Sequence, residues 1–224
     1  ALTSSTIHRE RLQKQTGGSG LFADMEFEIG PVDDEFLESD EYKSGKEKIQ
    51  FVWQVVGGSI DKNYIKPIKD GFKAMMENGI LANYSIESMK VRVFDGSMHA
   101  VDSNDIAFKI AGQHAFKEAF MNASPRLMEP LYNLDVKVPV ELLGDVMTDL
   151  QARRSIILGL ESTDQYQHIK AKTPLAELNK YTTALRSITQ GRASFNMEFA
   201  EYAQVSPNIQ AEIQKQLGDN ETMD

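Results

Sequence analysis

The sequence has no cysteine in 224 residues. That excludes disulfides, thiol nucleophiles and cysteine-ligated metals, and it suits a reducing cytoplasm. No apolar run approaches the roughly 18 residues that a membrane-crossing helix needs. Histidine is scarce. His8, His99, His114 and His168 form neither an HExxH motif nor a close pair at helical spacing, which leaves a zinc hydrolase with little support. No serine sits in a GxSxG elbow. Gly17-Gly18-Ser19-Gly20 is glycine-rich but lacks the GxxxxGK[ST] form. No predicted helix opens after it, so it does not read as a nucleotide loop. His99 and Asp102 stand three apart and can hydrogen-bond, yet a catalytic dyad needs a nucleophile beside it. No catalytic and no metal-binding residue is assigned.

A basic excess is also missing. The chain has 33 acidic and 24 basic residues, for a net charge of −9. Residues 1–123 carry 14 basic and 19 acidic side chains, and the remainder carries 10 and 14. Neither half can grip phosphate by bulk charge, so any RNA contact is expected to be local and set by shape, or supplied partly by other proteins. What is present is the composition of a folded protein: 41% hydrophobic and 25% charged, with 7 prolines and 15 glycines. The length predicts one large domain or two small ones. Ala1 leads straight into patterned sequence, which points to a piece of something longer.

Thr6 to Thr16 and Leu21 to Ile29 alternate around the glycine turn and predict a hairpin. Asp33 to Lys48 is a charged interruption, acidic at six of the nine residues from Asp33 to Glu41, and reads as a solvated loop. Ile49 to Val56 is strongly apolar and places Trp53 in the core. Lys62 to Asn78 has apolar residues at helical spacing, and Asn78-Gly79 stops that helix. Glu87 to Phe94 alternates as a strand, and Asp95 to His99 is turn-rich. Asp102 or Ser103 caps a predicted helix over 104–122.

Ser124-Pro125 is the best boundary. Beyond it the pattern spells strand, helix, two strands, helix, strand, with Thr173-Pro174 capping and starting the second helix and Gln190-Gly191 closing it. That is the ferredoxin-like split βαβ order, an antiparallel sheet with both helices on one face. Asn208 to Leu217 predicts a tail helix. The domain expectation is therefore 1–123, 124–206 and a C-terminal helix and polar tail over 207–224. The fold class is α/β (α+β) in two domains.

Two polar loops remain as candidates, Lys14 to Gly20 and Gly96 to Asn104. Both leave strands, and a compact two-layer domain can bring both to one end. Glycine lets backbone N–H groups approach phosphate, and histidine can stack on a base or donate to phosphate. The plainer alternative is that both are tight turns and nothing more.

Asp95 to Gly112 (DGSMHAVDSNDIAFKIAG) closely resembles the fourth domain of elongation factor G, the translocation GTPase. Arg11 to Gly20 (RLQKQTGGSG) is similar to that domain's first tip loop, although many bacterial relatives carry arginine where this chain has Ser19. Val56 to Ile65 is similar to the segment leading into its first helix. Leu143 to Arg154 and Leu185 to Glu198 resemble the fifth domain. The likeness covers residues 5 to 217, and Asp33 to Lys48 looks like an extension.

The resemblance implies an elongated, βαβ-containing domain shaped like a tRNA anticodon arm, followed by a ferredoxin-like domain. It implies a tip that enters the small-subunit decoding site, made of Lys14, Gln15, Gly17, Gly18, Ser19, Gly20, Ser97, His99, Asp102 and Ser103. If Gly18 occupies positive φ, Gly18→Val should distort the tip turn. Candidate large-subunit contacts are Arg153, Arg154, Gln190, Gly191 and Arg192, near the GTPase-associated region. Implied partners are the ribosome, its rRNA and the tRNA–mRNA pair, with no membrane, for a cytoplasmic monomer. The family's nucleotide site lies in a first domain outside this chain. GTP and Mg2+ are therefore expected of the parent, and no cofactor of this fragment. A ribosomal protection factor, a recycling paralogue and a non-catalytic interaction module are the alternatives.

Overall fold

The structure, a computed structural model, describes residues 1–15, 20–81, 83–163 and 165–221. The chain divides into two compact units, Ala1–Leu127 with Pro207 onward, and Met128–Ser206. Among the described residues no helix is long and apolar enough to cross a membrane.

In the first unit, β1 (Thr6–Lys14) and β2 (Leu21–Gly30) pair antiparallel in unbroken register from Thr6–Ile29 to Lys14–Leu21, as the alternation predicts. β4 (Met89–Ser97) lies antiparallel to β2, and β3 (Ile49–Trp53) runs parallel to β4. The sheet order is β1-β2-β4-β3. A parallel neighbour needs a crossover, and α3 (Ile65–Asn78) supplies it after a 3-10 turn over Lys62–Tyr64. α4 (Asp105–Asn122) follows β4. Met25, Phe27, Val91 and Val93 are buried on the sheet, and Ile68, Phe72, Phe108 and Phe116 on the two helices complete the same core.

The two helices approach unusually closely because glycine meets glycine. A Cβ at Gly71 would stand 2.5 Å from the Lys109 carbonyl oxygen and 3.4 Å from Gly112 Cα. The alanines of α4 at 107, 111, 115 and 119 are all buried, which keeps its inner face shallow. A second close approach occurs next to the bulge between β2 and β4, where Gly96 pairs with Met25. There a Cβ on Gly96 would meet the Asp24 carbonyl oxygen at 2.2 Å.

The second unit contains β5 (Met128–Pro139), α5 (Leu143–Ala152), β6 (Ile156–Thr163), β7 (Tyr166–Pro174), α6 (Tyr181–Thr189) and β8 (Ser194–Gln204). The sheet is antiparallel throughout, in the order β6-β7-β5-β8. This is the split βαβ arrangement expected from the sequence. Leu134, Val136 and Ile169 face Val146, Leu150 and Leu185 in its core.

Several local expectations are corrected. The acidic stretch is not a plain loop. It holds two single-turn helices, α1 (Asp34–Leu37) and α2 (Asp40–Lys43), and Ser39 caps the second. Trp53 is half-buried at the edge of the core. β4 continues through Gly96 and Ser97, where a turn was expected. Asn104, rather than Asp102 or Ser103, caps α4 by accepting from the Ala107 N–H at 2.8 Å. Thr173 and Pro174 end β7, and a 3-10 turn over Leu175–Leu178 precedes α6, whose N-cap is Lys180 in the left-handed region. The expected tail helix is present as α7 (Pro207–Glu221); it groups with the first unit, where Gln210 Oε1 accepts from the Leu127 N–H at 3.0 Å.

The glycine crossing makes a paired prediction. Alanine is normally favoured over glycine inside a helix by about 1 kcal/mol. Gly71→Ala should nevertheless destabilise the first unit by about 1–3 kcal/mol, because the added methyl meets backbone that cannot step aside. Gly144→Ala in α5, where a Cβ has nothing within 4 Å, should be neutral or stabilising. Urea titration of each variant checks both signs.

Candidate functional site

The start of β2 and the loop after β4 are stitched together at one end of the first sheet. Asp102 does this twice. Its Oδ1 accepts from the Gly20 N–H at 3.1 Å, and its carbonyl accepts from the Phe22 N–H at 2.9 Å. Ser103 closes the loop on itself and onto β2. Its hydroxyl accepts from the His99 N–H and donates to the Phe22 carbonyl, both at 2.8 Å. Its own N–H returns to the His99 carbonyl at 3.0 Å. Tyr64 braces the assembly from the helix side, donating its hydroxyl to the Ser103 carbonyl at 3.1 Å while its ring stacks on Phe108 at 4.3 Å.

On this platform His99 points outward, with its side chain 58% exposed. Its Nδ1 lies 3.4 Å from Asp102 Oδ2, and its ring faces Phe22 at 6.0 Å. A serine dyad is not assembled here, because the Ser103 proton is directed to the Phe22 carbonyl. Among the described residues, no group of three or more histidines and carboxylates is placed to hold a metal ion.

One layer below, Asp24 ties three strands together. It is almost fully buried, at 3% exposure. Arg9 on β1 donates two bonds to it at 3.0 Å, and the Ser97 hydroxyl on β4 donates a third at 3.0 Å. Burial alone would raise the Asp24 pKa. The bonds from Arg9 and Ser97, with the charges of Arg9 and Arg11, outweigh it and hold the carboxyl below its ordinary value.

The sequence candidates therefore separate into two groups. Gly20, Ser97, Asp102 and Ser103 are brought together, but as scaffold: Gly20 is buried and the other three use their polar atoms internally. Lys14, Gln15 and His99 are exposed. Gly17, Gly18 and Ser19, and with them the φ of Gly18, lie outside the described residues. Sequence reading missed Phe22, Tyr64 and the Arg9–Asp24 pair. The alternation does place Arg9, Arg11, Phe22 and Asp24 on one face of the hairpin, and that was the available signal.

In the second unit Arg153 and Arg154 are committed inside the fold. Arg154 makes a two-bond pair with Glu129 at 2.8 and 2.9 Å and a third bond to Glu177 at 2.7 Å. The Glu129 hydrogen bonds are the main reason its guanidinium is held even more firmly protonated than usual, against the opposing cost of burial. Arg153 pairs with Asp149 at 2.8 Å, donates to the Glu177 carbonyl and lies over the Tyr181 ring. Gln190, Gly191 and Arg192 form an exposed corner after α6. Gln190 takes the left-handed conformation and Arg192 pairs with Glu141 at 2.7 Å.

The comparisons with known proteins follow the same division. The family model described as "Elongation factor G, domain IV" matches residues 2–124, and "Elongation factor G C-terminus" matches residues 126–213. Elongation factor G of Amoebophilus asiaticus is 44% identical over 209 residues, and that of Cytophaga hutchinsonii is 42% identical over 209. Each alignment covers 93% of this chain and 28% of the relative. A crystal structure from Thermus thermophilus superposes with a TM-score of 0.79 at 35% identity, covering 97% of this chain and 31% of that one. The fold and its two matched domains are thus those of a translation factor. The chain belongs to the elongation factor G family. It spans under a third of the length of the curated relatives it matches.

Asp24 carries a pH prediction. Its folded-state pKa is depressed, so the stability from its ion pair is fully present above the unfolded carboxylate value of about 3.9. That stability is lost as pH falls through the folded-state value. Asp24→Asn should be less stable than the parent at neutral pH, and the gap should narrow below about pH 4. Chemical denaturation of the first unit across pH 2–7 measures it, and a gap that stays constant with pH would remove the charge from the argument.

Proposed function

We propose that this chain is the C-terminal part of a ribosomal translocation GTPase, and that the loop after β4, stitched to the start of β2, acts in the small-subunit decoding site during tRNA–mRNA movement. The observation that carries the reading is the platform under His99. Asp102, Ser103 and Tyr64 fix the loop from three directions, so an exposed imidazole is presented at a defined place on a braced end. A group that must hold position against moving RNA needs its supporting bonds made in advance.

The mechanism is steric and electrostatic. The tip enters beside the codon–anticodon helix, loosens its hold on the ribosome and then blocks the return of the tRNA. His99 supplies a ring that can stack on a base and an edge that can bond a 2′-hydroxyl or phosphate. Lys14 and Gln15 add exposed polar groups at the end of β1. The net charge of −9 limits nonspecific adhesion to RNA, so affinity depends on shape at the tip. GTP binding and hydrolysis, with Mg2+, belong to a domain of the parent outside this chain. The exposed corner Gln190, Gly191 and Arg192 is the better candidate for the large-subunit contact, because Arg153 and Arg154 already direct their donors to Glu177, Asp149 and Glu129. The expected setting is the cytoplasm, with the factor acting as a monomer.

The deciding experiment uses the full-length factor with intact ribosomes, comparing wild type and His99→Ala with GTP or a non-hydrolysable analogue. His99→Ala should slow translocation about tenfold, which corresponds to about 1.4 kcal/mol of barrier. Thermal unfolding of the variant should be unchanged, since the ring is exposed. Ribosome binding without movement by the wild type would instead assign a protection or recycling role.

A further inference from the structure

Arg11 stands directly across from Asp24 in the β1–β2 register. An Arg–Asp pair across the strands is the ordinary outcome of that placement. It does not form. Arg9 and Ser97 already occupy both carboxylate oxygens of Asp24. The Arg11 guanidinium lies instead over the Phe22 ring, 5.4 Å from its centroid. Arg11 is exposed, and among the described residues no carboxylate lies within ion-pair distance of it.

The ring beneath it is fixed. Phe22 is anchored through its N–H to Asp102 and through its carbonyl to Ser103. The same ring meets the His99 ring at 6.0 Å with a 55° tilt. Arg11, Phe22 and His99 thus form one contact chain running into the loop described above. A guanidinium resting on an aromatic face keeps its N–H edge available and loses little freedom when that edge binds. Its fork matches the oxygens of a phosphate. In a chain of net charge −9, this is a cation spared from pairing and displayed beside the one exposed imidazole of the stitched loop.

We propose that Arg11, seated on Phe22 beside His99, is a contact for the phosphate backbone of RNA. The proposal rests on reading this end as the RNA-facing tip. It adds to that tip a cation on the open face of β1, at the N-terminal end of the matched tip segment and ahead of the candidate loops Lys14 to Gly20 and Gly96 to Asn104.

The test is binding of the full-length factor to intact ribosomes over a range of KCl concentrations, together with translocation rates. Arg11→Gln should weaken binding severalfold and flatten the slope of log affinity against log salt by about 0.7–0.9, the share of one phosphate contact. Arg11→Lys should restore the slope. An unchanged affinity and slope in Arg11→Gln, with His99→Ala still slowing translocation, would overturn the Arg11 contact and leave the tip reading intact. No effect from either variant would overturn both. Weaker binding at an unchanged slope would mean that Arg11 meets a ribosomal protein, and the phosphate assignment would fall.

Discussion

The near-contact of α3 and α4 at Gly71 and Gly112 is the constraint on which the candidate site depends. It lets Tyr64, just ahead of α3, stack on Phe108 in the first turn of α4. That stacking aims the Tyr64 hydroxyl at the Ser103 carbonyl. Ser103 then positions His99 and Phe22 through its backbone and hydroxyl. A side chain added at the helix crossing would thus be felt several bonds away. The core and the exposed imidazole are linked by an ordered series of contacts, and close packing in proteins transmits such shifts with little slack.

Charge is distributed with the same economy. Much of the first sheet's open face is occupied by ion pairs: Arg9 with Asp24 and Arg92 with Glu28 across strands, and Lys90 with Asp33 of the segment after β2. The exposed pairs among them, Arg92 with Glu28 and Lys90 with Asp33, add little stability one by one, whereas the buried Asp24 carboxylate depends on its partners. The stronger consequence of these pairs is occupancy, since a carboxylate taken by one arginine is closed to the next. Arg11 is left on Phe22 for that reason. In the second unit the same logic removes Arg153 and Arg154 from the surface inventory and leaves the corner at Gln190 to Arg192.

Much of the fold was legible in the sequence. The hairpin alternation, the helical spacing over 62–78 and the strand–helix order of the second unit each reappear, because a strong period constrains an element wherever it packs. The misses have identifiable causes. Asp102, Ser103 and Asn104 are all good helix caps, and only tertiary bonding decides among them. Gly20 takes the Asp102 carboxylate, and Phe22 and His99 take the Ser103 hydroxyl, so Asn104 is left to cap. Thr173-Pro174 has the look of a helix start, but pairing with β5 continues the strand through Pro174. The two arginines at 153 and 154 read as surface charges because Glu129 and Glu177 lie more than twenty residues away in sequence. At the candidate site, sequence resemblance found the loops but could not separate the residues that hold the shape from those that present it.

The acidic segment between β2 and β3 has a consequence of a different kind. Asp33 is tied to Lys90 and Gln50, Glu47 to Lys73, and Lys48 to Glu87. These ties lie at the Gly30–Lys90 end of the sheet, while the stitched loop lies beyond the Asp24–Ser97 end. The length of β2 separates them, about 30 Å at strand rise. A segment pinned at its own base can change length or sequence with little effect on the stitched loop at the other end of β2. The same property makes it a natural attachment point, where a dye or an affinity handle would travel with the domain and leave its contacts untouched.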